Sequence, residues 1–206
     1  MIKYTPYIIQ YDNVLKPELI DQYRDTLSNF FSGVECSMER SSVRDNSAWG
    51  LQQHSKDAEI SKINDTIGKL HYFFMSKYLR DCPLIGKYLV FNKKIATNLI
   101  YRTYEEGDQY NWHIDFSEQV RFLVSVILYL NDDYDGGNTL FLNDKIKVKP
   151  KKNSILVFPC GPYFLHKSTP VKNGKKHIIW NCYQDSQLLF DGPNRYTNVI
   201  TSIIDK

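Results

Sequence analysis

A histidine and an aspartate stand one residue apart in the segment YEEGDQYNWHIDF, at positions 113 and 115. In an extended segment alternate side chains point the same way, so His113 and Asp115 can both reach one point. Imidazole and carboxylate groups in such a pair can bind one metal ion. A His-x-Asp pair near a loop also commonly serves only turn hydrogen bonds. A metal site therefore requires a third ligand and a pocket.

The candidate for the third ligand is His166, in the segment GPYFLHKSTPV. Two other histidines lie in the predicted helical half, and His177 is expected on the opposite face of its strand from the neighbouring lysine. A set of two histidines and one carboxylate leaves metal positions open, as in non-haem Fe(II) oxygenases. A zinc hydrolase uses similar ligands, so His113, Asp115 and His166 alone do not choose the metal.

A basic residue, Lys176, follows His166 by ten positions, across a turn at residues 172–174. Two antiparallel strands joined by this turn would bring His166 and Lys176 near each other. A buried cation beside a metal suits a dicarboxylate co-substrate, which chelates the metal at one end and pairs with the cation at the other. The adjacent Lys175 is expected to point to the opposite face of the strand.

The first half of the chain has helical patterning. Residues 15–31 and 57–80 carry apolar residues at helical spacing. Pro17 suits a first helical turn, Gly33 suits a helix stop, and Asp57 is expected to cap the second helix.

The intervening residues 34–56 are polar and only weakly periodic, and they include Arg40, Arg44 and Trp49. A connection of this length is commonly functional. The segment is a candidate substrate lid, and a solvated connector is the equal alternative.

The second half of the chain is predicted to be rich in short strands. Turn signals separate these strands, and this pattern is typical of a sandwich or barrel. Helices followed by strands indicate an α+β fold, with helices packed on one face of a β core. The predicted strands lie in KKIATNLIYRTY, RFLVSVILYLN, NTLFL, KIKVKP, SILVFP and KHIIWNCY.

The length of 206 residues suits a single domain. We expect residues 1–87 to form mainly helical support, residues 88–184 the strand core, and residues 185–206 a C-terminal extension. The net charge of +3 is spread along the chain without a concentrated basic patch, so a nucleic-acid partner is not favoured. The sequence leaves the oligomeric state open.

The four cysteines are widely spaced and form no CxxC motif, which is typical of reduced thiols. The opening residues MIKYTPYIIQYDNV are too polar for a signal peptide, and no apolar run is long enough to span a bilayer. We therefore expect a cytoplasmic protein without a membrane partner.

Four stretches occur in a specific order: YEEGDQYNWHID, YLNDDYDGGNTLF, SILVFP and HKSTPVKNGKK. Their order and spacing resemble the Fe(II)- and 2-oxoglutarate-dependent dioxygenases, above all the prolyl 4-hydroxylase branch, over roughly residues 95–184. The segment YDNVLKPELIDQY is similar to the opening helix of that family. The resemblance implies a double-stranded β-helix, a jelly-roll of roughly eight core strands, with the N-terminal helices packed on one face.

The resemblance also implies a role for each matched residue. Three side chains would hold Fe(II), Lys176 would pair with the distal carboxylate of 2-oxoglutarate, and three hydroxyl-bearing residues would line the co-substrate pocket. Oxygen would be consumed, and ascorbate is a candidate reductant. The implied iron ligands are His113, Asp115 and His166, and the implied pocket residues are Tyr104, Tyr129 and Thr139.

The reaction implied by the resemblance is hydroxylation of an unactivated C–H bond, most closely of a prolyl residue in a peptide or protein, with release of succinate and carbon dioxide. A free amino acid or other small molecule is the alternative substrate, and a non-catalytic metal-binding β-barrel module is the alternative class. Nucleic-acid demethylation is disfavoured, because such enzymes carry a second arginine shortly after the co-substrate cation. The chain departs from the family at Cys182, where an aromatic residue is common, and Trp180 lies two residues earlier.

Overall fold

The computed structural model describes residues 1–36, 41, 43–88, 94–116 and 122–185. Arg40 and the C-terminal extension from residue 186 onwards lie outside the described residues. Two short 3-10 helices span Leu51–His54 and Pro162–Phe164. The other elements, in chain order, are β1 (Ile2–Lys3), β2 (Ile9–Asp12), α1 (Pro17–Phe30), β3 (Arg44–Asp45), β4 (Ser47–Gly50), α2 (Ala58–Asp81), α3 (Pro83–Tyr88), β5 (Lys94–Ala96), β6 (Ile100–Tyr104), β7 (Gln109–His113), β8 (Phe122–Tyr129), β9 (Asp135–Gly136), β10 (Thr139–Phe141), β11 (Ile146–Val148), β12 (Ser154–Pro159), β13 (His166–Ser168), β14 (Val171–Lys172) and β15 (Lys176–Asp185).

Two antiparallel sheets face each other and form the double-stranded β-helix. The larger sheet has the order β1-β2-β12-β8-β15-β6-β4, with β5 also paired to β15. The smaller sheet has the order β11-β10-β13-β7-β3, and β14 and β9 form a separate two-stranded sheet. The α+β jelly-roll prediction is therefore confirmed.

The helices form where the sequence places their boundaries. Pro17 stands in the first turn of α1, where its missing N–H costs no hydrogen bond. Asp57 caps α2, since its carboxylate accepts hydrogen bonds from the backbone N–H groups of Glu59 (2.9 Å) and Ile60 (3.0 Å). Gly33 follows α1 with φ +82°, a conformation that glycine adopts without strain.

The outer face of the larger sheet packs against α1 and α2. On β8, Val124, Val126 and Leu128 point into the cluster shared with the helices. Ile127 and Tyr129, between and after them, point into the space between the two sheets. Because strand side chains alternate, β8 is buried on both faces and carries both the main core and one wall of the inner cavity.

The structure differs from the sequence prediction in the segment 34–56. Residues Ser47–Gly50 form β4, which pairs with β6 at the edge of the larger sheet. Trp49 is only 7% exposed. Its ring centroid lies 5.2 Å from that of Phe31 and 5.8 Å from that of Tyr101. This part of the segment therefore belongs to the core and is neither a lid nor a solvated connector.

Among the described residues, no helix is both long enough and apolar enough to cross a membrane.

Candidate active site

The two predicted histidine ligands lie opposite each other on neighbouring strands of the smaller sheet. His113 ends β7, His166 begins β13, and the strand register pairs these two residues directly. Asp115 follows β7 and turns its carboxylate between them, with Oδ1 3.6 Å from His113 Nε2 and Oδ2 3.7 Å from His166 Nε2. The three ligand atoms lie within 4.8 Å of one another, so all three can reach one ion.

Both imidazoles are held with Nε2 turned to this shared point. His113 Nδ1 lies 2.7 Å from the carbonyl oxygen of Asn111, and His166 Nδ1 lies 3.0 Å from that of Phe164. A carbonyl oxygen only accepts hydrogen bonds, so each Nδ1 carries the proton and donates it. An imidazole whose only proton is on Nδ1 presents the lone pair of Nε2, the form that binds a metal.

The Asp115 carboxylate is ionised and has an unused acceptor. Burial opposes its ionisation, but the positive charge of the His166 and His113 rings, when they are protonated, outweighs that effect and lowers the pKa of the carboxyl well below its usual range. Its Oδ2 is buried and has no hydrogen-bond partner. Burial lowers the pKa of His166 to about 4, so this ring is neutral near pH 7. The donor set therefore fits a divalent cation such as Fe(II).

A buried ammonium group lies in the same cavity. Lys176 begins β15 and is 2% exposed. Its Nζ donates to the carbonyl oxygen of Gly137 at 2.7 Å and to Ser168 Oγ at 2.9 Å. No carboxylate of a described residue pairs with it, and burial lowers its pKa from 10.5 to about 7. An anion that enters the cavity would form an ion pair with this ammonium group.

The neighbouring lysine has a different environment. Lys175 Nζ lies 2.6 Å from Glu105 Oε1 outside the cavity, and both side chains are partly exposed. Strand alternation thus separates the two lysines, and Lys176 is the one that faces the metal-ligand set.

Three further predicted residues line the cavity beside Lys176. Tyr104 lies opposite Lys176 in the β6–β15 register, with its ring centroid 4.9 Å from the lysine Nζ. The hydroxyls of Tyr129 and Thr139 are 3.0 Å apart. Burial raises the pKa of Tyr104 to about 12 and also raises that of Tyr129, so both phenols keep their protons near pH 7 and can donate to an anion.

Residues 99–184 match the family model of the 2OG-Fe(II) oxygenase superfamily. These residues form a 2OG-Fe(II) oxygenase domain. A protein of Acanthamoeba polyphaga mimivirus named "Putative prolyl 4-hydroxylase" is 39% identical over an alignment of 68 positions. That alignment covers 28% of this chain and 28% of the viral protein.

Two solved structures share the fold of the oxygenase domain and its helices. A prolyl hydroxylase from Trichoplax adhaerens, in complex with a hypoxia-inducible factor oxygen degradation domain peptide, superposes with a TM-score of 0.72 at 18% identity. The match covers 91% of this chain and 89% of that one. A viral collagen prolyl hydroxylase of Paramecium Bursaria Chlorella virus-1, in a 2OG complex, gives a TM-score of 0.64 at 19% identity, covering 87% of this chain and 96% of that one. At this level of identity the likeness establishes the fold.

The oxygenase domain also places residues in the cavity that sequence reasoning did not select. The ring of Tyr110 stacks on His113 with centroids 3.6 Å apart and an angle of 8°. Four other cavity residues follow from strand alternation, because each lies two or four residues from a predicted site residue and therefore shares its strand face. These cavity residues are Arg102, Ser168, Ile178 and Trp180.

The position where the family often has an aromatic residue is occupied by Cys182, which lies near the metal-ligand set of the oxygenase domain. Its Sγ lies 3.7 Å from Cys160 Sγ, and both sulfur atoms lie within 4.8 Å of a carboxylate oxygen of Asp115. Burial raises the pKa of both thiols, so they stay protonated and are weaker ligands than the histidines. Trp180 faces the cavity instead, and its Nε1 donates to Ser125 Oγ at 2.9 Å.

Two other histidines are structural. His177 points away from the cavity of the oxygenase domain, as alternation predicts, and its Nδ1 lies 2.6 Å from the hydroxyl of Tyr101. His71 is fully buried in α2, with Nδ1 2.8 Å from Asn181 Oδ1. Burial lowers the pKa of each to about 4, so both rings are neutral near pH 7.

Proposed function

We propose that this chain is an Fe(II)- and 2-oxoglutarate-dependent dioxygenase that hydroxylates a prolyl residue of a peptide or protein. The observation that carries the proposal is the buried Lys176, which shares one cavity with His113, Asp115 and His166 and has no carboxylate partner among the described residues. A dicarboxylate that binds a metal at one end and Lys176 at the other satisfies both groups at once.

The chain's own residues bind and orient the reactants. His113, Asp115 and His166 hold the metal, and Lys176 pairs with the distal carboxylate of 2-oxoglutarate. Bound Fe(II) would supply oxygen activation, with decarboxylation of 2-oxoglutarate to succinate coupled to hydroxylation of the substrate.

The walls of the cavity restrict the position of the co-substrate. Tyr104, Tyr129 and Thr139 offer hydroxyl groups along its length. Ile127 and Ile178 are apolar and lie between the two sheets. They exclude water from the reacting groups.

A prolyl substrate is supported by two comparisons. The matched mimivirus protein is named as a prolyl 4-hydroxylase, and the Trichoplax neighbour is a prolyl hydroxylase with a bound peptide. We further propose that ascorbate serves as reductant and that the protein acts in the cytoplasm. All four cysteines are free, which is compatible with a reducing compartment.

The test is succinate formation from 2-oxoglutarate with Fe(II), oxygen and ascorbate, first without a substrate and then with a panel of proline-containing peptides. Wild type is run beside His113→Ala. We expect succinate that requires Fe(II), disappears in the variant and increases with a hydroxylated peptide. Stimulation by a free amino acid alone would refute the peptide substrate.

Absence of succinate under every condition calls for a direct binding measurement with 2-oxoglutarate. No binding of 2-oxoglutarate to the Fe(II)-loaded protein would refute the dioxygenase and favour a non-catalytic metal-binding module. Binding that Lys176→Ala weakens would keep the co-substrate site and remove only the prolyl substrate from the proposal.

The lysine pair provides a matched comparison for the co-substrate site. Lys176→Ala removes a charge-assisted pair worth about 1.5–3 kcal/mol, so the 2-oxoglutarate KM should rise about ten- to a hundredfold. Lys175→Ala removes the same charge one residue away, outside the cavity, and should leave that KM within about twofold. Equal effects in both variants would contradict the assignment.

A further inference from the structure

A second cation lies in the cavity, and the proposed co-substrate does not account for it. Arg102 of β6 is only 4% exposed and lines the cavity two residues before Tyr104, on the same face of the strand. A guanidinium group stays protonated in proteins. Arg102 therefore brings a permanent positive charge to the buried space between the sheets.

Two aromatic rings hold this guanidinium in place. Its Cζ lies 5.0 Å from the ring centroid of Trp180 and 5.5 Å from that of Tyr110. These contacts use the faces of the rings, whereas the N–H donors of the guanidinium lie in its own plane. The single hydrogen bond from Arg102 to a described residue is long, 3.5 Å from NH1 to Asn46 Oδ1. No carboxylate of a described residue forms an ion pair with Arg102.

Arg102 and Lys176 serve different parts of the cavity. In the β6–β15 register, Tyr104 pairs with Lys176 and Arg102 pairs with Ile178. Lys176 Nζ turns to Gly137 and Ser168. The guanidinium instead reaches Trp180, further along β15 and away from Lys176. A dicarboxylate that binds both the metal and Lys176 would therefore not contact Arg102, and Arg102 could bind a different ligand.

The contact with Tyr110 places Arg102 close to the metal-ligand set. Tyr110 stacks directly on His113, so the guanidinium is separated from a metal ligand by a single ring. Arg44 also contacts Tyr110 and adds positive charge there. Two cations, Arg102 and Arg44, therefore lie beside the tyrosine that covers His113.

We propose that Arg102 binds a carboxylate group of the primary substrate, carried by the residue that is hydroxylated. This inference rests on the proposed function and narrows its substrate class to a prolyl residue with a free carboxylate. Such a group belongs either to the C-terminal proline of a peptide or to a free imino acid. A buried cation without an acidic partner favours an anion over a neutral carbonyl, and the planar fork of Arg102 suits two carboxylate oxygens.

The test compares N-acetyl-L-proline with N-acetyl-L-proline amide, which have nearly the same shape and differ in charge. Binding is measured by calorimetry without oxygen, to protein loaded with Fe(II) and 2-oxoglutarate. We expect the acid to bind about ten- to a hundredfold more tightly than the amide. Arg102→Gln should remove this preference, and Arg102→Lys should keep part of it.

Two controls separate binding from a structural role. The Arg102→Gln protein should keep its 2-oxoglutarate affinity, whereas a misfolded variant would lose both ligands. Lys175→Gln removes one positive charge outside the cavity and should leave the preference for the acid unchanged. Equal binding of acid and amide, or loss of 2-oxoglutarate affinity in Arg102→Gln, would each overturn the inference.

A second arm distinguishes the two sources of the carboxylate. Succinate formation is measured with free L-proline and with a peptide that ends in proline, beside peptides of the same composition with internal proline. If free L-proline or the peptide that ends in proline increases succinate formation, that compound is the source of the carboxylate. If only peptides with internal proline increase it, the inference is overturned. Stimulation by free L-proline alone would support Arg102 while refuting the peptide substrate of the proposed function.

Discussion

Lys176→Met should stabilise the protein without ligands while weakening its binding of 2-oxoglutarate. Burial lowers the pKa of Lys176 from 10.5 to about 7. At about 1.4 kcal/mol per pH unit, that difference corresponds to roughly 5 kcal/mol of lost stability below pH 7. The hydrogen bonds to Gly137 and Ser168 offset part of this cost, because each hydrogen bond from the charged ammonium contributes at least about 1.5 kcal/mol. We therefore expect the variant to gain up to about 2 kcal/mol in the free energy of unfolding.

The pH dependence tests the cause of this gain. The folded-state pKa of Lys176 lies below its unfolded value. Between pH 7 and 10.5 the unfolded chain therefore binds a proton that the folded chain does not, and wild-type stability rises with pH across this window. Below pH 7 the cost of the buried charge is present in full. The advantage of Lys176→Met should be largest near about pH 6.5 and disappear by about pH 9.5.

The assay is urea unfolding of both proteins at these two pH values, in the absence of metal and 2-oxoglutarate. Lys175→Met is the matched control and should change stability by less than about 0.5 kcal/mol at either pH. Adding 2-oxoglutarate to the Mn(II)-loaded proteins should stabilise wild type by more than it stabilises Lys176→Met. A variant that is less stable than wild type at both pH values would refute the reasoning, since the ammonium would then be fully compensated within the fold.

Asp115→Ala should abolish coupled hydroxylation and weaken Mn(II) binding at least tenfold, measured by calorimetry; full retained activity would remove Asp115 from the metal site. Gly137→Ala should raise the 2-oxoglutarate KM about tenfold. Gly137 has φ +56°, and a Cβ there would lie 2.7 Å from the Tyr134 ring and 3.2 Å from Lys176 Cδ, so the lysine would be displaced. An unchanged KM would show that the loop moves to make room for the methyl group. The 2-oxoglutarate Kd should rise about tenfold per pH unit above about pH 7, as Lys176 loses its proton; a flat profile to pH 9 would show that the lysine stays charged.

The elements of the fold could be predicted because their signals are local. The spacing of apolar residues gave both long helices, and Asp57 caps α2 as its position indicated. The order of the strands within the two sheets is not local. No feature of β8 indicates that β12 and β15 are its neighbours, because this depends on contacts between residues far apart in the chain.

The site could be predicted where motif spacing and strand alternation agreed. His113, Asp115, His166 and Lys176 were selected on those grounds, and the structure brings them to one cavity. Arg102 lies outside the motifs that resemble the dioxygenase family, although it shares a strand face with Tyr104. Its importance comes from burial among aromatic rings, which the sequence does not display.

The sequence of residues 34–56 does not indicate the strand Ser47–Gly50, because its composition is mostly polar and its apolar residues are few. Trp49 lies in a strand of four residues, Ser47–Gly50, too short to show clear alternation. Its indole packs against Phe31 and Tyr101. One large aromatic residue therefore anchors a strand that composition alone assigns to a loop.

The buried cations of the cavity depend on the apolar core on the other side of the same sheet. On β15, Ile179 and Tyr183 pack with the helices, while Lys176 and Trp180 face the cavity. A slip of one residue in the pairing of β15 would move its apolar residues into the cavity and the lysine into the helix contact. The helix side thus fixes the register, and the register holds Lys176 where its charge is unfavourable until an anion binds. Removing the charge should therefore leave the register intact, and this is why Lys176→Met is expected to fold and to separate stability from ligand binding.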